Sequence, residues 1–169
     1  MTAARCTIES PVGPLTITAA DGAITAVDFG AGRASPQGLA RETCSGPGPN
    51  DGVLAEAARQ LTEYFDGDLR EFTLPVEPEG TSFRRRVWAA MQAIPYGQTR
   101  SYGDLARDLD SAPRAVGGAC GANPIPLIIP CHRVVGAGGA LGGFSGGAGC
   151  DTKRQLLALE RALPPQLPV

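Results

Sequence analysis

The chain has 169 residues, 43% of them hydrophobic and 19% charged, with a formal net charge of −2. That composition excludes wholesale disorder and leaves room for one substantial core or two small ones. No apolar run approaches the about 20 residues of a membrane helix, and the first residues lack the apolar core of a signal peptide, so a cytoplasmic location is expected.

Five cysteines at irregular spacing, a single histidine and no C-x-x-C pair make a disulfide framework and a metal site poor readings. The net charge conceals an asymmetry. Residues 1–80 hold 5 arginines against 12 acids, a balance of −7; residues 81–169 hold 9 arginines and 1 lysine against 5 acids, a balance of +5. A basic half suits an anionic partner such as a nucleic-acid backbone, and its plainer reading is a solvated surface.

Residues 5–29 alternate apolar and polar around two turn signals, Pro11-Val12-Gly13-Pro14 and Asp21-Gly22, which predicts three strands. The Gly-, Pro- and Ser-rich stretch 30–51 reads as a loop. Val53, Leu54, Ala57, Ala58, Leu61, Tyr64 and Phe65 recur at helical spacing, so a helix is predicted over 52–65. An extended piece over 71–76 and a linker at Glu77-Pro78-Glu79-Gly80 close an N-terminal domain, 1–80, with no evident chemistry.

In the second domain, 81–169, Thr81 or Ser82 caps a helix to about Ala93, with Phe83, Val87, Trp88 and Met91 on one face and Arg84, Arg85 and Arg86 on the other. Ser101 and Asp104 have capping-box spacing for a helix from Tyr102 to Leu109. Pro113 opens another helix, to about Cys120. Two short helices across a tight turn have the helix-turn-helix pattern, and an ordinary helical hairpin has it equally. A glycine-rich stretch, 136–149, suits a loop or wing. A last helix is predicted from about Thr152 to Leu163, followed by a Pro-rich tail.

Cys131 next to His132 is the sharpest chemical feature. A thiol is a strong nucleophile only as thiolate, and a nearby base makes that state accessible. Side chains of adjacent residues seldom hydrogen-bond directly, so the proton passes more plausibly through a water. Glu160 on the last helix is the best-placed carboxylate to orient the imidazole, although a solvated pair with Arg161 or Lys153 is its plainer reading. Cys6 and Cys120 read as buried structural thiols, and Cys44 and Cys150 as exposed ones.

Pro130-Cys131-His132-Arg133-Val134 resembles the active-site signature of the O6-alkylguanine-DNA alkyltransferases, the methylated-DNA–protein-cysteine methyltransferases. Thr81-Ser82-Phe83, Val87-Trp88, Ile94-Pro95-Tyr96-Gly97, Ser101-Tyr102-Gly103, Arg114-Ala115-Val116-Gly117, Asn123-Pro124, the stretch from Gly142 to Gly147 and Lys153 to Glu160 extend the match over residues 81–161, in the family's order. The first half is similar more loosely, through Ser10 to Leu15 and Gln60 to Gly67. Pro113 stands where alanine is usual, and a slightly longer segment before Lys153 brings Cys150 near the active-site loop.

The resemblance implies an α+β protein: a small N-terminal ribonuclease-H-like α/β domain and a C-terminal winged helix-turn-helix domain holding the cysteine. It implies a single-use repair protein that flips the damaged base from duplex DNA. The alkyl group moves from O6 of guanine, and also from O4-alkylthymine, to Cys131, with no cofactor and no metal. Cys131, His132, Glu160, Tyr102 and Asn123 are then the catalytic set: His132 draws the thiol proton, Glu160 orients His132, Tyr102 aids flipping and the leaving guanine, and Asn123 holds the turn before the cysteine. Arg114 fills the vacated stack, with Tyr102, Ala115, Ser101 and Arg133 completing the DNA-binding set. Val134, Ser145, Phe144 and Trp88 form the substrate pocket. A monomer is expected, with cooperative binding on DNA left open. The use of 14 arginines and 1 lysine suggests a GC-rich bacterial genome.

Three rival functions remain. A non-catalytic binder of alkylated DNA typically carries tryptophan in place of the cysteine. A cysteine hydrolase using Cys131 and His132 turns over without DNA. A winged-helix regulator that senses alkylation requires sequence specificity.

Overall fold

Apolar residues alternating with polar ones give three strands at the start of the chain: β1 (Ala4–Ile8), β2 (Leu15–Ala20) and β3 (Ala23–Phe29). They form an antiparallel meander, with Cys6 opposite Ile17 and Ile17 opposite Val27. Asp21 and Gly22 both have positive φ, the conformation that lets a two-residue turn follow the twist of its strands. The structure is a computed structural model that describes residues 3–30, 41–42, 48–144 and 146–162. The chain divides into two compact units, residues 1–79 and 80–169.

In the first unit a short strand, β4 (Arg41–Glu42), pairs parallel with β1, giving the sheet order β3-β2-β1-β4. This corrects the reading of 30–51 as loop throughout, while residues 31–40 and 43–47 of that stretch lie outside the described residues. Helix α1 (Asp51–Phe65) covers the sheet with Leu54, Ala57, Leu61 and Tyr64, all fully buried, against Cys6, Leu15, Ile17 and Ile24. The predicted extended piece at 71–76 forms no strand; it makes a single bridge from Val76 to Ile24 and is tied to α1 through the Gln60 side chain, whose two ends bond Thr73 at 3.0 Å. Cys6 is disulfide-bonded, a correction to the expectation of free thiols. Cys44 lies outside the described residues.

The second unit is built on α2 (Ser82–Gln92), capped by the Thr81 hydroxyl, which accepts from Arg84 N at 3.2 Å. Helices α3 (Tyr102–Asp108) and α4 (Pro113–Gly121) follow across a four-residue turn. Ser101 and Asp104 form the predicted capping box on α3, and Pro113 sits in the first turn of α4, where its missing N–H costs nothing. Two-residue strands β5 (Arg100–Ser101) and β6 (Val134–Val135) pair in parallel.

The last helix, α5 (Cys150–Leu159), starts two residues before the prediction and ends earlier. Arg161 has φ 56°, Arg161 N bonds Ala158 O at 3.0 Å and Ala162 N bonds Leu157 O at 2.8 Å, the paired bonds that terminate a helix through a left-handed residue. That stop places Glu160 at the C-cap of the helix. Among the described residues no helix is long and apolar enough to cross a membrane.

Candidate active site

The nucleophile's presentation is a backbone construction. Pro130, at φ −82° and ψ 71°, makes an inverse γ-turn in which Cys131 N bonds Ile129 O at 2.8 Å, and one 3-10 turn (Cys131–Arg133) follows. Asn123 braces the approach: its Nδ2 donates to Ile129 O at 2.8 Å and its Oδ1 accepts from Ile125 N at 2.9 Å. Leu127, held at φ 75° although it is not glycine, marks the strain carried by this short loop.

Cys131 opens on a cavity of about 460 Å³ lined by Tyr102, Gly117, Cys120, Gly121, Gly143 and Phe144. Burial pushes its thiol pKa up, opposed by the Asn123 side-chain amide and by the charge of Lys153. Burial holds Tyr102 up to about 12, so its phenol keeps its proton and remains a donor. The second cavity thiol, Cys120, is also raised to about 12 by burial and lies 3.5 Å from Met91 Sδ. Of the two cavity thiols, Cys131 alone has a hydrogen-bonding amide to favour its thiolate.

Behind Cys131 the imidazole of His132 is fully buried, with Nε2 2.6 Å from Glu160 Oε2. Its Nδ1 has no hydrogen-bond partner among the described residues. Burial is the largest influence on His132 and favours the neutral ring; Glu160 opposes it, and Arg133 and Lys153 reinforce it.

The expected residues distribute unevenly. Cys131, Tyr102 and Phe144 share the cavity, Asn123 and the His132–Glu160 pair stand behind it, and Ser145 lies outside the described residues. Arg114 and Ala115 are exposed on the first turn of α4. Ser101, expected to bind DNA, spends its hydroxyl on capping α3. Two expectations are corrected. Arg133 is buried and donates to Glu160 and to Ile94 O, so it does not face DNA. Trp88, expected in the pocket, is 1% exposed in the core, where Nε1 donates to Ala119 O at 2.8 Å. The side chain of Val134 is fully buried, and its carbonyl accepts from Lys153, so only its backbone is placed for the guanine-edge contact the resemblance implies.

Lys153 is the functional residue that sequence reasoning passed over. It is fully buried, and its ammonium donates to Val134 O at 2.7 Å and Gly143 O at 3.3 Å while lying 5.8 Å from the Tyr102 ring centre. It thereby joins the cysteine segment to the glycine-rich loop. The available signal was its spacing: Lys153 stands three and four residues before Leu156 and Leu157, on the buried stripe of α5. Gly142 is the other. A Cβ there meets the Tyr102 ring at 2.9 Å, so only glycine lets the loop backbone lie on that ring. Among the described residues, no group of three or more His, Cys, Asp or Glu side chains is placed to hold a metal ion.

Comparison with known proteins places this geometry. The family model for the DNA-binding domain of 6-O-methylguanine DNA methyltransferase matches residues 82–162, and the model for its ribonuclease-like domain matches residues 5–78. A methylated-DNA–protein-cysteine methyltransferase of Mycolicibacterium paratuberculosis is 44% identical over 161 residues, covering 94% of this chain and 93% of that protein. One from Methanosarcina acetivorans is 42% identical over 154 residues, covering 90% and 94%. Among solved structures, Mycobacterium tuberculosis OGT in complex with DNA superposes with a TM-score of 0.79 at 40% identity, covering 96% of each chain. By its matched domains and its identity to these relatives, the chain belongs to the methylated-DNA–protein-cysteine methyltransferase family.

Proposed function

We propose that the protein repairs O6-alkylguanine in duplex DNA by moving the alkyl group to Cys131, once per molecule. The observation that carries the reading is a partly exposed cysteine opening on a base-sized cavity beside a protonated tyrosine, backed by a buried His–Glu pair. An O6-alkyl carbon inside the stack is out of reach of any side chain, so the nucleotide is flipped outward at a cost of a few kcal/mol. Arg114, exposed at the start of α4, occupies the gap, and the basic surface of this unit supplies sequence-independent attraction to phosphate.

In the transfer step the thiol proton passes through a water to His132, the sulfur bonds the alkyl carbon, and the carbon–O6 bond breaks with its electron pair passing to guanine. Tyr102 donates to the leaving base. The thioether formed is not displaced by water, so no second turnover follows. O4-alkylthymine is a second substrate in this reading. The protein acts as a monomer in the cytoplasm of a bacterial-type cell, a location that rests on its substrate and its relatives rather than on its thiols.

The test is a titration. A duplex with one O6-methylguanine, mixed with less than an equivalent of protein, is expected to be repaired in an amount equal to the protein added. Repair beyond that amount identifies a turning-over enzyme, and binding without repair identifies a recognition protein; either overturns the reading.

A further inference from the structure

Arg133 follows the nucleophile's neighbour in the basic half of the chain, yet its guanidinium is committed inward on three nitrogens. Nε donates to Glu160 Oε1 at 2.8 Å, Nη2 to Glu160 Oε2 at 3.1 Å and Nη1 to Ile94 O at 2.8 Å, with the Tyr96 ring centre 5.8 Å from the guanidinium carbon. Glu160 Oε2 is also the atom that faces His132. One buried carboxylate therefore serves an imidazole and a permanent cation together.

We propose that Arg133 is a positioning residue for the alkyl transfer: by neutralising Glu160 on both oxygens it keeps His132 uncharged, with its proton on Nε2 and its lone pair on Nδ1, ready for the thiol proton. This rests on the alkyl-transfer reading of the site. The argument is one of charge. A carboxylate buried with an imidazole and nothing else favours the imidazolium, because the pair is then neutral inside a poorly solvated site. With Arg133 in place the carboxylate is already neutralised, and protonating His132 leaves a net buried charge.

The other groups facing the ring act in the same direction. From α5, Lys153 adds a positive charge. From the 3-10 turn, Cys131 is neutral until it reacts. On α2 the charged side chains Arg84, Arg85 and Arg86 are exposed, and the chain just past its end offers the Ile94 carbonyl, which Arg133 occupies. Burial of the ring and the Arg133 charge both lower the His132 pKa. The 2.6 Å contact places the proton on Nε2, because a carboxylate oxygen can only accept, and it leaves the unpartnered Nδ1 as the basic atom. Once His132 has taken the proton, the excess charge is balanced by the thiolate it leaves behind, so the arrangement favours the imidazolium only while the nucleophile is active.

His132 is the only histidine in the chain, so ¹⁵N imidazole shifts report it alone. The native protein is expected to show the Nε2–H tautomer, uncharged at about pH 6.5, where a free histidine is half protonated. In Arg133→Met the ring is expected to be doubly protonated at about pH 7. Single-turnover transfer is then expected to be slower by about 100-fold at that pH, the typical worth of a general base, and to recover as pH is raised. Arg133→Lys keeps the charge and is expected to keep the native tautomer and most of the rate. A native ring charged near neutrality, an Nδ1–H tautomer, or an Arg133→Met rate that falls equally at every pH with the ring still neutral overturns the proposal. Should Arg133→Met not fold, Arg133→Gln, which removes the charge and keeps hydrogen-bond donors for Glu160, is expected to show the same doubly protonated ring, and a neutral ring there overturns the proposal. Absence of transfer by the native protein overturns the function instead, since the spectra read the charge of His132 independently of activity.

Discussion

At the scale of single residues, reactivity is set by what surrounds one sulfur. Burial disfavours the Cys131 thiolate, and the Asn123 amide is the largest opposing influence. Removing a donor from a charged acceptor raises the energy of the charged form, so Asn123→Ala is expected to move the thiol pKa further upward. Alkylation of Cys131 by iodoacetamide at about pH 7, read by peptide mass, should then slow by about tenfold and recover at higher pH. An unchanged pH dependence contradicts this role for Asn123. Much of the residue-level chemistry was legible, because Cys131-His132 and Glu160 are residue types with few other uses together. Arg133 was not. A charged side chain in a basic half reads as surface, and only the fold reveals a carboxylate 27 positions away that buries it. Lys153 was obscured by the same assumption, that lysine is exposed.

Elements decide where those residues sit. Helix α5 stops at a residue in the left-handed region, and that stop holds Glu160 toward His132. Arg161 carries the strain of φ 56° with an exposed side chain, whereas glycine adopts this conformation freely. Arg161→Gly is accordingly expected to stabilise the protein by about 1 kcal/mol in urea denaturation, without slowing transfer. Loss of stability contradicts the account of the helix end. In the proposed mechanism Arg114, exposed on the first turn of α4, is needed only when a base must be flipped. Arg114→Ala is expected to slow transfer from duplex by about 10²-fold, a flipping cost of a few kcal/mol, and to leave reaction with the free base O6-methylguanine unchanged. Equal losses on both substrates contradict that role. Periodicity found α1, α2, α3 and α4 to within a residue or two because each carries a clear apolar stripe or cap. The strand β4 escaped because two residues in a Gly- and Pro-rich stretch carry no local pattern; pairing with β1 makes them a strand. The end of α5 escaped because arginine gives no sign of the backbone turn it makes.

For the whole molecule, the division at the Pro-Glu-Gly linker separates a half carrying −7 from a half carrying +5, and the chemistry resides in the second. Duplex affinity should therefore fall linearly on a log–log plot as salt rises, through release of counterions from the phosphates engaged. Arg133→Lys should leave that slope unchanged, because Arg133 is spent inside the protein. A flat salt response, or a slope that drops with Arg133→Lys, contradicts this division of the arginines. The domain pair and the helix-turn-helix were legible from the boundary composition and from motif order. Their topology was not, because periodicity names elements and does not arrange them.

The most direct test of the central claim is the intact mass of the protein after reaction with a duplex carrying one O6-methylguanine. The expected result is a gain of about 14 Da, one methylene equivalent, that stops at a single addition, maps to Cys131 and is absent from Cys131→Ala. An unchanged mass with the duplex repaired or bound, or a methyl group mapped to Cys120 or Cys150, would contradict the assignment of Cys131 as the acceptor.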